Sequence, residues 1–198
     1  MKLAALLAIL IGIILVGCSN GPPTGVEQSQ NIDATVAVAV AATRTANDVQ
    51  EKIAATLRPF SLTLIMDKGV DYSKDGQYEN AIQEFDKVIQ LDPDYAVAYY
   101  NRGYSYNKLG QYQTAINDYT EAIQLNPDYA DSYINRGNSY HYLGQHQTAI
   151  NDYTKAIQLD PDYARAYYNR GLSYYDLGQY TLANADEAKA CSLDSQYC

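Results

Sequence analysis

The chain of 198 residues is long enough for one domain with an accessory segment. Its 21 tyrosines, two phenylalanines and absence of tryptophan favour a thin core spread along the molecule over one large apolar centre. A formal net charge of −9 argues against nucleic acid and anionic lipid surfaces as direct partners, since phosphate binding needs Lys and Arg, and favours a neutral or basic partner.

The N-terminus begins with Lys2 and an apolar run from Leu3 to Val16, shorter than the ~20 residues of a membrane span and ending in small residues. That is the form of a secretory signal peptide, here residues 1–17. The ending Leu15-Val16-Gly17-Cys18 resembles the lipobox of bacterial lipoproteins. The resemblance implies cleavage before Cys18, a diacylglyceryl group on its thiol and an acylated amine. It places the mature chain in the bacterial cell envelope outside the cytoplasm, lipid-anchored to the cytoplasmic membrane or to an outer membrane if there is one. Residues 18–31 are rich in Gly, Pro, Ser and Gln, which reads as a flexible tether. Residues 32–58 are Ala-rich, with Ile32, Val36, Val40, Val49, Ile53 and Leu57 mostly four apart, which predicts a helix ending before Pro59 that is packed or partly frayed.

From residue 62 the chain repeats itself with a step of 34 residues. Gly76, Gly110, Gly144 and Gly178 keep that step, as do Gly69, Gly103, Gly137 and Gly171, and Ala81, Ala115, Ala149 and Ala183. The units are 62–95, 96–129, 130–163 and 164–197. In the second, 98–109 is an aromatic-rich helix stopped at Gly110. Residues 114–125 carry Ala115, Ile116, Tyr119, Ala122 and Ile123 along one helical side and end at Asn126-Pro127-Asp128. One such helical pair cannot bury its own apolar face, and stacked pairs can.

Tyr99, Gly103, Tyr106, Ala115, Tyr119, Ala122 and Pro127, with Tyr133, Gly137, Tyr140, Ala149, Tyr153, Ala156 and Pro161 one unit on, resemble the tetratricopeptide repeat. The resemblance implies an all-α fold, a right-handed superhelical solenoid of helix-turn-helix repeats. Its first helices line a concave groove that binds a protein or peptide. Arg102, Arg136 and Arg170 depart from it, standing where the family most often has Leu. By register the groove includes Val97, Tyr100, Asn101, Tyr104, Asp131, Ile134, Asn135, Asn138, His141, Arg165, Tyr168, Asn169 and Leu172. Asn101, Asn135 and Asn169 form a ladder whose amides suit the backbone of an extended peptide, or else serve only to pack and solvate their helices. A clamp for a C-terminal carboxylate, which some family members possess, is not expected, because Arg165 alone is basic here. A carbohydrate or cell-wall ligand is the alternative, since Tyr and Asn also suit sugars.

Few residues point to chemistry. No phosphate-cradling Gly loop, nucleophile elbow or His-based triad is present, so neither an enzyme nor a cofactor is expected. The segment 71–76 resembles the front of a calcium loop, but Ile82 stands where a bidentate Glu is required. His141 and His146 lie five residues apart across a Gly turn, a spacing that suits no helical metal pair, and no metal site is expected. With Cys18 lipidated, Cys191 and Cys198 remain, either as a disulfide tying down the chain end or as two thiols. In the last helix Asn184, Glu187 and Cys191 replace the Ile116, Tyr119 and Ile123 of the second unit, which makes its outer face a polar cap.

Overall fold

The computed structural model describes the backbone of residues 25–198 and the side chains of 36–53 and 61–198. The signal peptide 1–17, Cys18 and the tether as far as residue 24 lie outside the described residues. Internal contacts divide the chain into two units, Met1–Pro59 and Phe60–Cys198.

The first helix, α1, spans Gly25–Lys74. It therefore begins inside the segment expected to be a tether and continues past the expected stop at Pro59. A proline inside a helix loses one backbone bond and costs ~3 kcal/mol, yet its φ is helical and it does not oblige the chain to turn. The helix-forming residues on both sides carry the helix through. Its described apolar side chains in the first unit, Val36, Val38, Val40, Val49 and Ile53, are exposed.

The second unit is all-α among the described residues. After the end of α1 come α2 (Tyr78–Leu91), α3 (Ala96–Lys108), α4 (Tyr112–Leu125), α5 (Ala130–Tyr142), α6 (His146–Leu159), α7 (Ala164–Asp176) and α8 (Tyr180–Leu193), closed by a 3-10 turn at Ser195–Tyr197. Each helix packs on its neighbours in sequence, and α3, α5 and α7, the first helices of successive repeats, also touch one another. This is a one-dimensional array, in which each unit is held by those beside it.

The repeated residues meet repeated environments. Gly76, Gly110, Gly144 and Gly178 all have φ between 73° and 75°, the left-handed conformation that turns the first helix of a pair into the second. Pro93, Pro127 and Pro161 are each preceded by a residue whose side chain accepts a backbone N–H two residues on: Asp92 from Asp94, Asn126 from Asp128, and Asp160 from Asp162. The helix stop is thus a side-chain-capped turn as well as a proline. Ala81, Ala115 and Ala149 have no exposed surface, and Phe85, Tyr119 and Tyr153 fill the space between paired helices. At the end of the array Asn184 and Glu187 are exposed, and a Cys191–Cys198 disulfide, with Cα atoms 4.7 Å apart, ties the 3-10 turn to α8.

Candidate functional site

The face formed by α3, α5 and α7 carries the expected groove residues, but much of their polar capacity is spent within the chain. Asn101 Nδ2 donates to the Val97 carbonyl at 2.7 Å. Asn135 Nδ2 donates to the Tyr100 hydroxyl at 2.8 Å. Asn169 Nδ2 donates to Asn138 Oδ1, which also accepts the Tyr153 hydroxyl, both at 2.8 Å. Asn135 and Asn169 therefore tie repeat to repeat, while Asn101 is held by its own helix. Pairing with a peptide backbone would first require breaking bonds that are already made.

Two groove residues are buried. Ile134 has no exposed surface and belongs to the core of the third repeat, and Asn135 is covered as well. Register alone placed them on the groove, but the helices approach too closely there to leave them open. Tyr100 is half-buried against the rings of Tyr119 and Tyr129, with centroids 5.9 and 4.8 Å away. Burial pushes its phenol well above the ordinary tyrosine range, so it is a neutral packing ring. Tyr168 meets Tyr197 from the stapled chain end at 5.0 Å. Arg165 donates to Asp131 at 2.8 Å and lies over the Tyr163 ring, so the groove's basic residue is neutralised by the carboxylate one unit before it. What remains accessible is apolar and aromatic: Val97 at 44% exposure, Leu172 at 43%, and the half-buried Tyr104 under Lys108.

Sequence reasoning missed two constellations. The first explains the arginines that depart from the family pattern. Arg102, Arg136 and Arg170 each make a two-pronged ion pair with Asp118, Asp152 and Asp186, sixteen residues on, through bonds of 2.7–2.8 Å. Each also reaches back to the preceding repeat, to Asp86, Thr120 and Thr154 respectively. Arg and Asp recurring in the same register were the signal, visible once both are placed on facing helices. Burial pushes the Asp118 carboxyl upward against the pull of Arg102, whose guanidinium the pair holds above its usual range.

The second concerns the histidines. The turn at Gly144 folds α6 back along α5 and sets His146 Nδ1 3.4 Å from His141 Nδ1. Asp176 at the end of α7 brings one carboxylate oxygen 3.6 Å from both His141 Nε2 and His146 Nδ1. The spacing argument weighed the two histidines across the Gly turn and did not include Asp176, which the stacking of repeats brings beside them. Burial pushes the His141 imidazole below its ordinary value, opposed by Asp176.

Among the described residues no helix is long and apolar enough to cross a membrane. Models of the tetratricopeptide repeat match residues 69–110, 96–129, 118–151, 137–178 and 164–197. No curated protein sequence matches the chain. Among solved structures, a crystal structure of MamA is 27% identical, covering 88% of this chain and 98% of that one with a TM-score of 0.65. The first repeat domain of Spaghetti (RPAP3), bound to the HSP90 peptide SRMEEVD, is 28% identical over 59% of this chain and 93% of its own, with a TM-score of 0.58. The second domain of human RPAP3, in complex with the HSP70 peptide SGPTIEEVD, is 28% identical over 59% and 97%, with a TM-score of 0.57.

Proposed function

We propose that this chain, a member of the tetratricopeptide-repeat family over residues 69–197, is a protein-interaction scaffold whose first helices hold a segment of a partner protein. The observation that carries the reading is the accessible Val97 and half-buried Tyr104 on α3 and the accessible Leu172 on α7, the two helices that touch α5 from either side, beside amides that are already satisfied. Such a surface grips by ring and aliphatic contact, which gives large area at little entropic cost. Peptide complexes of related repeat domains support the mode of binding. The acidic peptides of those domains do not transfer: Arg165 is paired with Asp131, and the chain's net charge of −9 favours a neutral or basic segment.

Val97→Asp with Leu172→Asp should abolish capture of the partner from membrane extract. Two contact anchors at ~2 kcal/mol each amount to a loss of about a thousandfold. Because both side chains are exposed, helical circular dichroism and the melting point should hold. Undiminished capture would move the binding surface off these helices. Binding to a glycan array that the double variant loses, with no protein captured, would favour the carbohydrate reading.

The scaffold is, in this proposal, a lipoprotein facing outward from the membrane, anchored through Cys18. The support is the run ending Leu15-Val16-Gly17-Cys18. Two or more acyl chains hold a protein to a bilayer nearly permanently at ~0.8 kcal/mol per buried CH₂. Wild-type protein should partition into detergent, and Cys18→Ala should stay unprocessed and lose its acyl mass. A mature terminus at any residue other than 18 would end this part of the proposal.

A further inference from the structure

The array repeats its framework every 34 residues, but three positions at the junctions vary, and between the first and second repeats they are Ser73, Tyr78 and Lys108. Between the second and third repeats stand Asn107, Tyr112 and Tyr142. There Tyr112 stacks on Tyr142 with ring centroids 4.9 Å apart, and Asn107 Nδ2 donates to Ser139 Oγ at 2.8 Å. Between the third and fourth repeats the same three positions are His141, His146 and Asp176. An amide and two stacked rings have become two imidazoles and a carboxylate, and their ligand atoms all lie within 4.8 Å of one another.

The hydrogen bonds around the cluster fix which nitrogen is available. Ser173 has one hydroxyl proton and donates it to the Asn169 carbonyl at 3.2 Å. Its oxygen therefore accepts from His141 Nδ1 at 3.0 Å, as Ser139 accepts from the register-equivalent Asn107. This assignment puts the proton on Nδ1 and leaves the lone pair of Nε2 facing Asp176. An imidazole whose second nitrogen is held by a hydroxyl or carbonyl is the usual way a metal-binding histidine is oriented. The separation of 3.6 Å from Asp176 Oδ2 to each histidine nitrogen is too long for a hydrogen bond. It is close to the edge of about 3.3 Å between ligands of a tetrahedral ion with bonds of ~2.0–2.1 Å.

We propose that His141, His146 and Asp176 bind one divalent transition-metal ion of the zinc type. Two nitrogens and one oxygen suit such an ion, whereas a calcium or magnesium site would draw on oxygen. Asp176 is half-open to solvent, so water completes the coordination. The ligands come from α5 and α6 of the third repeat and α7 of the fourth. The ion therefore adds a cross-link between two units already joined by packing, by the Arg165–Asp131 pair and by the Asn169–Asn138 and Arg170–Thr154 hydrogen bonds.

The experiment uses the full chain without a histidine tag, stripped with chelator under non-reducing conditions. With only two histidines in the sequence, every imidazole signal belongs to this site. Calorimetric titration with zinc should show one ion per chain, and cobalt should give the visible bands of a tetrahedral site. Zinc should raise the melting temperature, as any ligand of the native state does. His146→Tyr restores the residue that the second and fourth repeats carry, and should weaken binding by about a hundredfold or more while the array folds normally. Asp176→Asn should weaken it by at least about tenfold. Should His146→Tyr fail to fold, His141→Asn, which follows the pattern of Asn107 one repeat earlier, carries the same test. No zinc uptake by wild type at millimolar concentration overturns the proposal. So does uptake that survives in a folded histidine variant, which would assign the zinc to the acidic surface.

Discussion

Replacing Arg136 by Ala should destabilise the array by ~3–5 kcal/mol, the cost of removing one partner from a buried ion pair. Arg136 donates through Nε and Nη2 to the two oxygens of Asp152, both at 2.8 Å, and through Nη1 to Thr120 of the preceding repeat at 3.1 Å. The side chains are only 17% and 10% exposed, so the usual discount for solvent screening is small. The guanidinium also lies over the Tyr133 ring at 5.6 Å. Burial alone would lower its pKa, and the hydrogen bonds and charge of Asp152 more than reverse that. Without Arg136, the Asp152 carboxylate is left in a site with little water, and one tie between the second and third repeats is gone. Urea unfolding followed by circular dichroism would read the loss. Hydrogen exchange should show the third repeat opening first. The double variant Arg136→Leu with Asp152→Leu supplies the control. Exchanging both charges for apolar groups removes the desolvation penalty along with the attraction, and it should recover most of the lost stability. A single-variant loss below ~1 kcal/mol would show that the pair behaves as a surface salt bridge.

This arginine shows what the sequence conceals. Its recurrence at 102, 136 and 170 was plain, yet it read as a departure from the family, because the partner stands sixteen residues away on a different helix. Period and turn chemistry are local properties. A glycine at Gly144 with φ 73° announces itself in one dimension, and so does an Asn-Pro or Asp-Pro helix stop. The helix pairs, the small residues between them and the polar cap at Asn184 and Glu187 were legible for that reason. The state of a side-chain amide is different. Asn135 and Asn169 had the right register for a groove, but whether an amide faces a ligand or a neighbouring repeat depends on distances of a few tenths of an ångström across the interface. In the structure that choice went to Tyr100 and Asn138. The histidines were hidden for a related reason. Their third partner, Asp176, stands 35 residues after His141 and 30 after His146, and only the stacking of successive repeats brings it near.

Tyr153→Ala should cost ~3–5 kcal/mol, the range for truncating a large buried aromatic residue. The ring is 1% exposed, and its hydroxyl donates to Asn138 at 2.8 Å, so the loss combines a cavity with a broken inter-helix bond. Gly137 faces the same ring from α5. A Cβ built on it would lie 2.7 Å from Tyr153 Cε1 and 3.0 Å from Cδ1, closer than the ring can tolerate without moving. The ring is enclosed and cannot swing aside. Gly137→Ala should therefore destabilise by ~1–3 kcal/mol through overpacking. That is despite the ~1 kcal/mol that alanine gains over glycine inside a helix. Gly171 is the internal control. Its opposite number is Glu187 rather than Tyr, and a Cβ there meets the Ala183 carbonyl at 3.3 Å and nothing nearer, so Gly171→Ala should cost clearly less than Gly137→Ala. The decisive measurement is the double variant. With Tyr153 truncated, the methyl group of Gly137→Ala enters vacated space, and the penalty it carries alone should vanish or change sign. Residues that share one contact are expected to couple by ~0.5–3 kcal/mol. Strictly additive costs would mean that Gly137 is required for the backbone of α5 and not for the ring of Tyr153. The close approach of paired helices would then need another explanation.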